Sequence, residues 1–129
     1  MRIILVAILA TSITLASAHS AGAAEKQLVS PPLSINPSQG QPLCLVTNLS
    51  ATDTVAVRVE IVDGSGTVAV TTPLNLSPGS TDGATDILTN FYSHCRITPD
   101  KGKYLSVLRG SHCIASANTA RTCVEAGKR

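Results

Sequence analysis

The chain reads Thr54-Val55-Ala56-Val57-Arg58-Val59-Glu60-Ile61-Val62 at its most regular point. The odd-numbered positions from Val55 to Ile61 are apolar, whereas Arg58 and Glu60 occupy alternate even positions. Because side chains along a β-strand point to opposite faces in turn, this pattern predicts a half-buried antiparallel strand. We expect Arg58 and Glu60 to lie side by side on the face in water.

Turn residues on either side of this stretch extend the prediction to the whole domain. Asp63-Gly64-Ser65-Gly66 favours a tight turn, because Gly and Asp tolerate positive φ, so residues 67–71 should return as a hairpin. Regular spacing between strand-like segments predicts an all-β, antiparallel β-sandwich of seven to eight strands. The further segments are residues 27–35 (an edge strand, because of Pro31-Pro32), 42–48, 84–88, 91–98, 103–115 (one strand or two, with a bulge at Gly110) and 121–125.

The N-terminus has the pattern of a secretory signal peptide. Arg2 precedes an apolar stretch, and both Ala16-Ser17-Ala18 and Ala21-Gly22-Ala23 are small-residue cleavage sites. We take residues 1–23 as the leader and residues 24–129 as a single domain, with cleavage after Ala18 as the alternative. We therefore expect a periplasmic or secreted protein, and no later apolar run is long enough to span a membrane.

Composition limits the classes of partner. The chain has 10 Lys and Arg residues against 8 Asp and Glu, spread along its length rather than clustered, which argues against nucleic acid and anionic membrane surfaces. It contains no Trp, so aromatic stacking surfaces are scarce. We expect the partner to be a protein or a component of the cell envelope, and we expect no cofactor.

Four cysteines, Cys44, Cys95, Cys113 and Cys123, form an even set in a chain that is predicted to be exported. Four cysteines allow three pairings. We favour Cys44–Cys95, which would clamp two packed sheets, together with Cys113–Cys123, which would close a local hairpin loop. The spacings do not match those of zinc sites, so we expect disulfides and no metal on these thiols.

Two cysteines about fifty residues apart on apolar strands resemble the pattern of an immunoglobulin-like sandwich. The segments that carry the resemblance are residues 44–48, 55–62, 76–79 and 91–96, and they are similar to small secreted bacterial immunoglobulin-like proteins. The chain departs from true immunoglobulin domains in lacking a core Trp and in placing Tyr92 three residues before Cys95. The resemblance implies a fold and no catalytic residues.

The most prominent candidate surface is the alternating row Tyr92, His94 and Arg96. The loops around Asp63 and Asp82 and any unpaired edge strand are further candidates. No nucleophile-elbow motif occurs, so we expect a non-catalytic binding or structural module.

Two alternatives to this function stay open. The first is a secreted inhibitor of an envelope or extracellular hydrolase, which would present the loop of residues 114–122 pinned by Cys113 and Cys123. The second is a copper-binding protein that uses His19, His94 or His112, in which cleavage after Ala18 would make His19 the N-terminal ligand beside a second histidine.

Overall fold

The computed structural model describes residues 26–36, 38, 40–86, 92–116 and 122–129. Among these residues it contains ten strands and one short 3₁₀ helix, Gly102–Val107. The strands are β1 (Leu28–Val29), β2 (Leu33–Ser34), β3 (Gln41–Asn48), β4 (Val55–Asp63), β5 (Val68–Leu76), β6 (Thr81–Thr85), β7 (Tyr92–Pro99), β8 (Leu108–Ala115), β9 (Thr122–Glu125) and β10 (Gly127–Lys128). No helix within the described ranges is long and apolar enough to cross a membrane.

The strands form two antiparallel sheets. The six-stranded sheet has the order β10-β1-β7-β4-β5, with β2 also paired to β7, and the four-stranded sheet has the order β6-β3-β8-β9. Apolar side chains from both sheets form one shared core. The expectation of an all-β, antiparallel architecture is therefore confirmed.

Strand β4 has the alternation that its sequence predicts. Its side chains from Val55 to Ile61 at odd positions are buried in the core, and the turn after Asp63 leads directly into β5. Glu60 departs from the prediction, since it is only 7% exposed. The reason is that β4 is a central strand with Arg96 of β7 directly opposite Glu60, so a neighbouring side chain covers the carboxylate.

Two disulfides join the pairs that the sequence favoured. Cys44 of β3 bonds to Cys95 of β7 and ties the two sheets together, and we call this bond the inter-sheet disulfide. Cys113 of β8 bonds to Cys123, its direct neighbour across the ladder on β9, and we call this bond the β8–β9 disulfide.

Residues 103–115 differ from the predicted strand. The first part of this segment is the 3₁₀ helix, and only Leu108–Ala115 is extended. Gly110 forms no bulge, because it pairs with Val46 within an unbroken register between β8 and β3. A Cβ atom at Gly110 would lie 2.5 Å from Cδ1 of Ile97, so the glycine lets β8 approach the opposite sheet.

The N-terminal segment 27–35 also differs from the prediction. Pro31-Pro32 divides it into β1 and β2, both paired to β7. Strand β1 is not an edge strand, because β10 covers its other side. The β10 strand had no sequence signal, since a two-residue strand is too short to show a period.

Two other segments shift in their bounds. The return strand predicted at residues 67–71 is the longer β5, and the strand predicted at 84–88 is β6 at Thr81–Thr85. Residues 87, 88, 91 and 121 of the predicted strands lie outside the described residues.

Candidate functional site

The predicted row Tyr92, His94 and Arg96 lies on the outer face of β7, turned away from the four-stranded sheet. The intervening Cys95 points inward to Cys44, which fixes the direction of its neighbours. Tyr92 is 57% exposed, whereas His94 and Arg96 are half-buried. Strand β7 is central in its sheet, and the inter-sheet disulfide fixes it on the side that faces the core. The three side chains therefore project from a rigid strand.

Arg96 also stabilises the fold through its contact with Glu60. Its Nε donates to Oε2 of Glu60 at 2.5 Å, and Nε of Arg58 lies 3.3 Å from Oε1 of the same carboxylate. The almost buried Glu60 therefore sits between two guanidinium groups. Pairing compensates the cost of burying this charge, so removing Arg96 would disturb the fold as well as the surface.

The surroundings of His94 favour its neutral form. Burial lowers the pKa of His94, and the positive charges of Arg96 and Arg129 lower it further. A neutral imidazole has one donor and one acceptor nitrogen. Beside Tyr92, it offers hydrogen bonds without adding charge.

His112 is not part of this surface. It lies between the sheets with no exposed area, where its Nε2 shares a hydrogen bond of 3.1 Å with the buried Ser93 Oγ. Burial lowers the pKa of His112 to about 4, against a smaller opposing effect of the Pro31 carbonyl and a further lowering by His94. The Nδ1 atom has no hydrogen-bond partner of good geometry.

The Ser93–His112 pair has the side-chain types of a nucleophile and a general base, but it lacks the surroundings of a catalytic site. In a catalytic triad the outer ring nitrogen is held by a carboxylate and the serine meets substrate. Here both side chains are sealed in the core, and no carboxylate holds Nδ1. The pair therefore links the two sheets through a polar contact.

The two strand histidines of the copper alternative do not lie on one face of the protein. His94 lies on the outer face of the six-stranded sheet, whereas His112 points between the sheets, and His19 lies outside the described residues. Within the described ranges no three His, Cys, Asp or Glu side chains converge on one point.

The two predicted acidic loops differ in the structure. Asp63 Oδ1 accepts hydrogen bonds from the backbone N–H groups of Ser65 and Thr67 and so stabilises the turn between β4 and β5. Asp82 does not lie in a loop, because it is part of β6 and pairs with Val46 of β3, and its Oδ1 accepts a hydrogen bond from the N–H of Gly83.

The remaining predicted surfaces are the edge strands and the pinned loop. The nine-residue β5 is an outer strand of its sheet, but Pro73 near its middle cannot donate to a further strand. The loop closed by the β8–β9 disulfide lies largely outside the described residues, since only its ends at Ile114–Ser116 and Thr122 are described.

A cleft lined by basic side chains was missed at the level of sequence. Residues from three separate segments line a cavity of about 520 Å³, which we call the basic cleft. Its lining residues are Lys26, Gly102, Lys103, Leu105, Ser106, Lys128 and Arg129. The basic residues look scattered along the chain, but pairing of β1 with β10 and the adjacent 3₁₀ helix collects four of them.

Comparisons with known proteins extend the description of the fold. No protein-family model matches the chain, and no curated protein matches it. Among solved structures, the chain is similar to the crystal structure of Thermotoga maritima 1070, with a TM-score of 0.52 and 10% sequence identity. The match covers 79% of this chain and 92% of that chain. At this identity the likeness concerns the fold alone.

Proposed function

We propose that this protein is a non-catalytic binding module that acts outside the cytoplasm, with Tyr92, His94 and Arg96 as its binding surface. The observation that carries the proposal is the exposed Tyr92 on a central strand, whose core-facing side is fixed by the inter-sheet disulfide. Tyrosine is enriched among the residues that dominate binding energy, and a rigid support lowers the entropy cost of binding. Two disulfides also fit an oxidising compartment, as the leader-like N-terminus does.

The proposal of an immunoglobulin-like relationship is supported by the inter-sheet disulfide. It joins β3 of one sheet to β7 of the other, as the conserved disulfide of immunoglobulin domains joins its two sheets. The pairing of β8 with β3 departs from the constant-type order, in which the last strand lies beside the strand that carries the second cysteine.

Site-specific photo-crosslinking in cells of the source organism tests the binding surface. A photoreactive phenylalanine analogue replaces Tyr92 in one variant and Leu49 in a matched control, since Leu49 is similarly exposed at 52%. We expect a discrete adduct from position 92 that weakens when His94→Ala is added. His94 is the suitable second site, because replacing Arg96 would leave Glu60 with less compensation. No adduct, or equal adducts at both positions, would contradict the proposal.

A second candidate function is inhibition of an envelope or extracellular hydrolase. The observation that favours it is the β8–β9 disulfide, which closes the loop of residues 114–122 at directly opposed ladder positions. Preorganised loops bind with little loss of entropy. Inhibition that disappears on replacing Cys113 and Cys123 by Ser, with the circular dichroism spectrum unchanged, would support this function. Absence of inhibition across envelope hydrolases would oppose it.

A further inference from the structure

The basic cleft shares no residue with the Tyr92 surface, although Arg129 is close enough to His94 to lower its pKa. Its four cationic side chains, Lys26, Lys103, Lys128 and Arg129, are all exposed. The described residues include no acidic side chain in the lining and no ion pair to any of the four.

Backbone pairing holds this group of charges together. The N–H of Gln27 donates to the Arg129 carbonyl at 3.0 Å, and the Arg129 N–H donates back to the Gln27 carbonyl at 2.9 Å. The 3₁₀ helix lies close to Lys26, since a Cβ atom at Gly102 would be in ordinary van der Waals contact with Lys26 Cδ at 3.6 Å. Lys103 Nζ is steadied 4.8 Å from the centre of the Tyr104 ring. The fold thus fixes the backbone from which all four cations project.

The neighbouring surface carries both polar and apolar side chains. A smaller cleft of about 260 Å³ shares Ser106 and Lys128 with the basic cleft, and its other lining residues include Arg109 and Glu125. Of the three leucines that line it, Leu49 is exposed, whereas Leu28 and Leu108 are buried in the core. The Glu125 carboxylate therefore belongs to the neighbouring cleft and does not line the basic cleft.

We propose that the basic cleft binds a phosphate ester. A phosphate monoester carries nearly two negative charges and three strong acceptor oxygens, which several cations can share, whereas a carboxylate carries one charge. Lysine binds phosphate as a point charge, and the Arg129 guanidinium can donate two parallel hydrogen bonds. The cleft has the volume of an ordinary small-molecule site.

Titration of the isotope-labelled mature protein with glycerol 3-phosphate tests this proposal. Amide chemical shifts are followed at constant ionic strength, because added phosphate otherwise screens surface charges. We expect saturable shifts centred on residues 102–106 and 128–129. The variant Lys103→Gln/Lys128→Gln should bind at least tenfold more weakly, since each lost charge-assisted contact is worth roughly tenfold.

A matched variant separates a specific site from general charge. Arg58→Gln/Lys101→Gln removes the same charge from residues that do not line the cleft and should change the affinity less than twofold. Equal weakening in the two double variants would overturn the proposal.

Vesicles distinguish a lipid headgroup from a soluble ester. Phosphatidic acid is the lipid probe, because its headgroup is a phosphate monoester. Co-flotation with phosphatidylcholine vesicles that contain phosphatidic acid, but not with pure phosphatidylcholine vesicles, identifies a lipid phosphate when it is lost in the cleft variant. Shifts with glycerol 3-phosphate without co-flotation identify a soluble ester. The absence of both shifts and flotation refutes phosphate binding, whereas crosslinking at Tyr92 reports on the proposed function separately.

Discussion

Acid should destabilise this fold through His112, and the structure sets the size of the effect. The imidazole is fully buried and its pKa is about 4, compared with an ordinary value of 6.5. Because the folded-state pKa is lowered, protonation favours the unfolded chain. The stability that the neutral ring contributes is complete above pH 6.5 and is lost as the pH falls toward 4.

The difference between these two pKa values determines how much free energy of unfolding is lost in acid. The folded state loses about 1.2 kcal/mol at pH 5.5 and about 3 kcal/mol at pH 4, relative to neutral pH. These are upper values, because water that enters as the ring becomes charged screens part of the cost. A loss of this size is a large share of the roughly 5–15 kcal/mol that stabilises a domain.

Urea unfolding at pH 7, 5.5 and 4, with both disulfides intact and followed by circular dichroism, measures the effect. The comparison is with His112→Gln, which keeps an amide near the position of Nε2 for Ser93 but does not titrate. Carboxylates titrate in both proteins, so the difference between the two pH profiles isolates His112. Parallel profiles for the wild type and His112→Gln would show that protonation of His112 does not destabilise the folded state.

Three further predictions concern stability and can be measured in the same urea assay. Replacing the inter-sheet disulfide by two alanines should cost about 4 kcal/mol and replacing the β8–β9 disulfide about 3 kcal/mol, because the closed loops span separations of 51 and 10 residues; an equal loss for both would contradict the loop-length argument. Gly110→Ala should cost about 1–3 kcal/mol by crowding Ile97, whereas Gly127→Ala, which meets nothing within 4 Å, should be nearly neutral, and equal effects would argue against close packing at β8. Glu60→Gln should cost on the order of 2 kcal/mol because Arg96 loses its carboxylate partner, whereas the exposed Arg58→Gln should cost under about 1 kcal/mol; the reverse order would contradict the burial of Glu60.

Strand alternation in the sequence predicted the elements whose two faces differ in polarity. The buried face of β4 and the outward row on β7 followed from period-two patterns, because each long strand contacts both core and solvent. The burial of Glu60 could not be predicted in this way. It depends on which residue of another strand lies opposite, and that register is a tertiary property.

Short and non-local elements were the ones that sequence reasoning missed. Residues 102–107 contain Tyr104, Leu105 and Val107 between polar neighbours, a mixture that suits a strand as well as a 3₁₀ turn. The basic cleft requires the pairing of β1 with β10, so its cations are neighbours only after folding. A run of basic residues in the sequence would have predicted the cleft, but its basic residues come from three separate segments.

We propose an exported chain that folds around two disulfides, and the intact mass of the protein recovered outside the cytoplasm tests both properties. We predict a mass that begins at Ala24 and increases by four hydrogen atoms on reduction, two for each disulfide. A protein that keeps Met1 would contradict export with cleavage of the leader, and a mass that does not change on reduction would contradict the two disulfides. A mass that begins at His19 would restore the copper alternative.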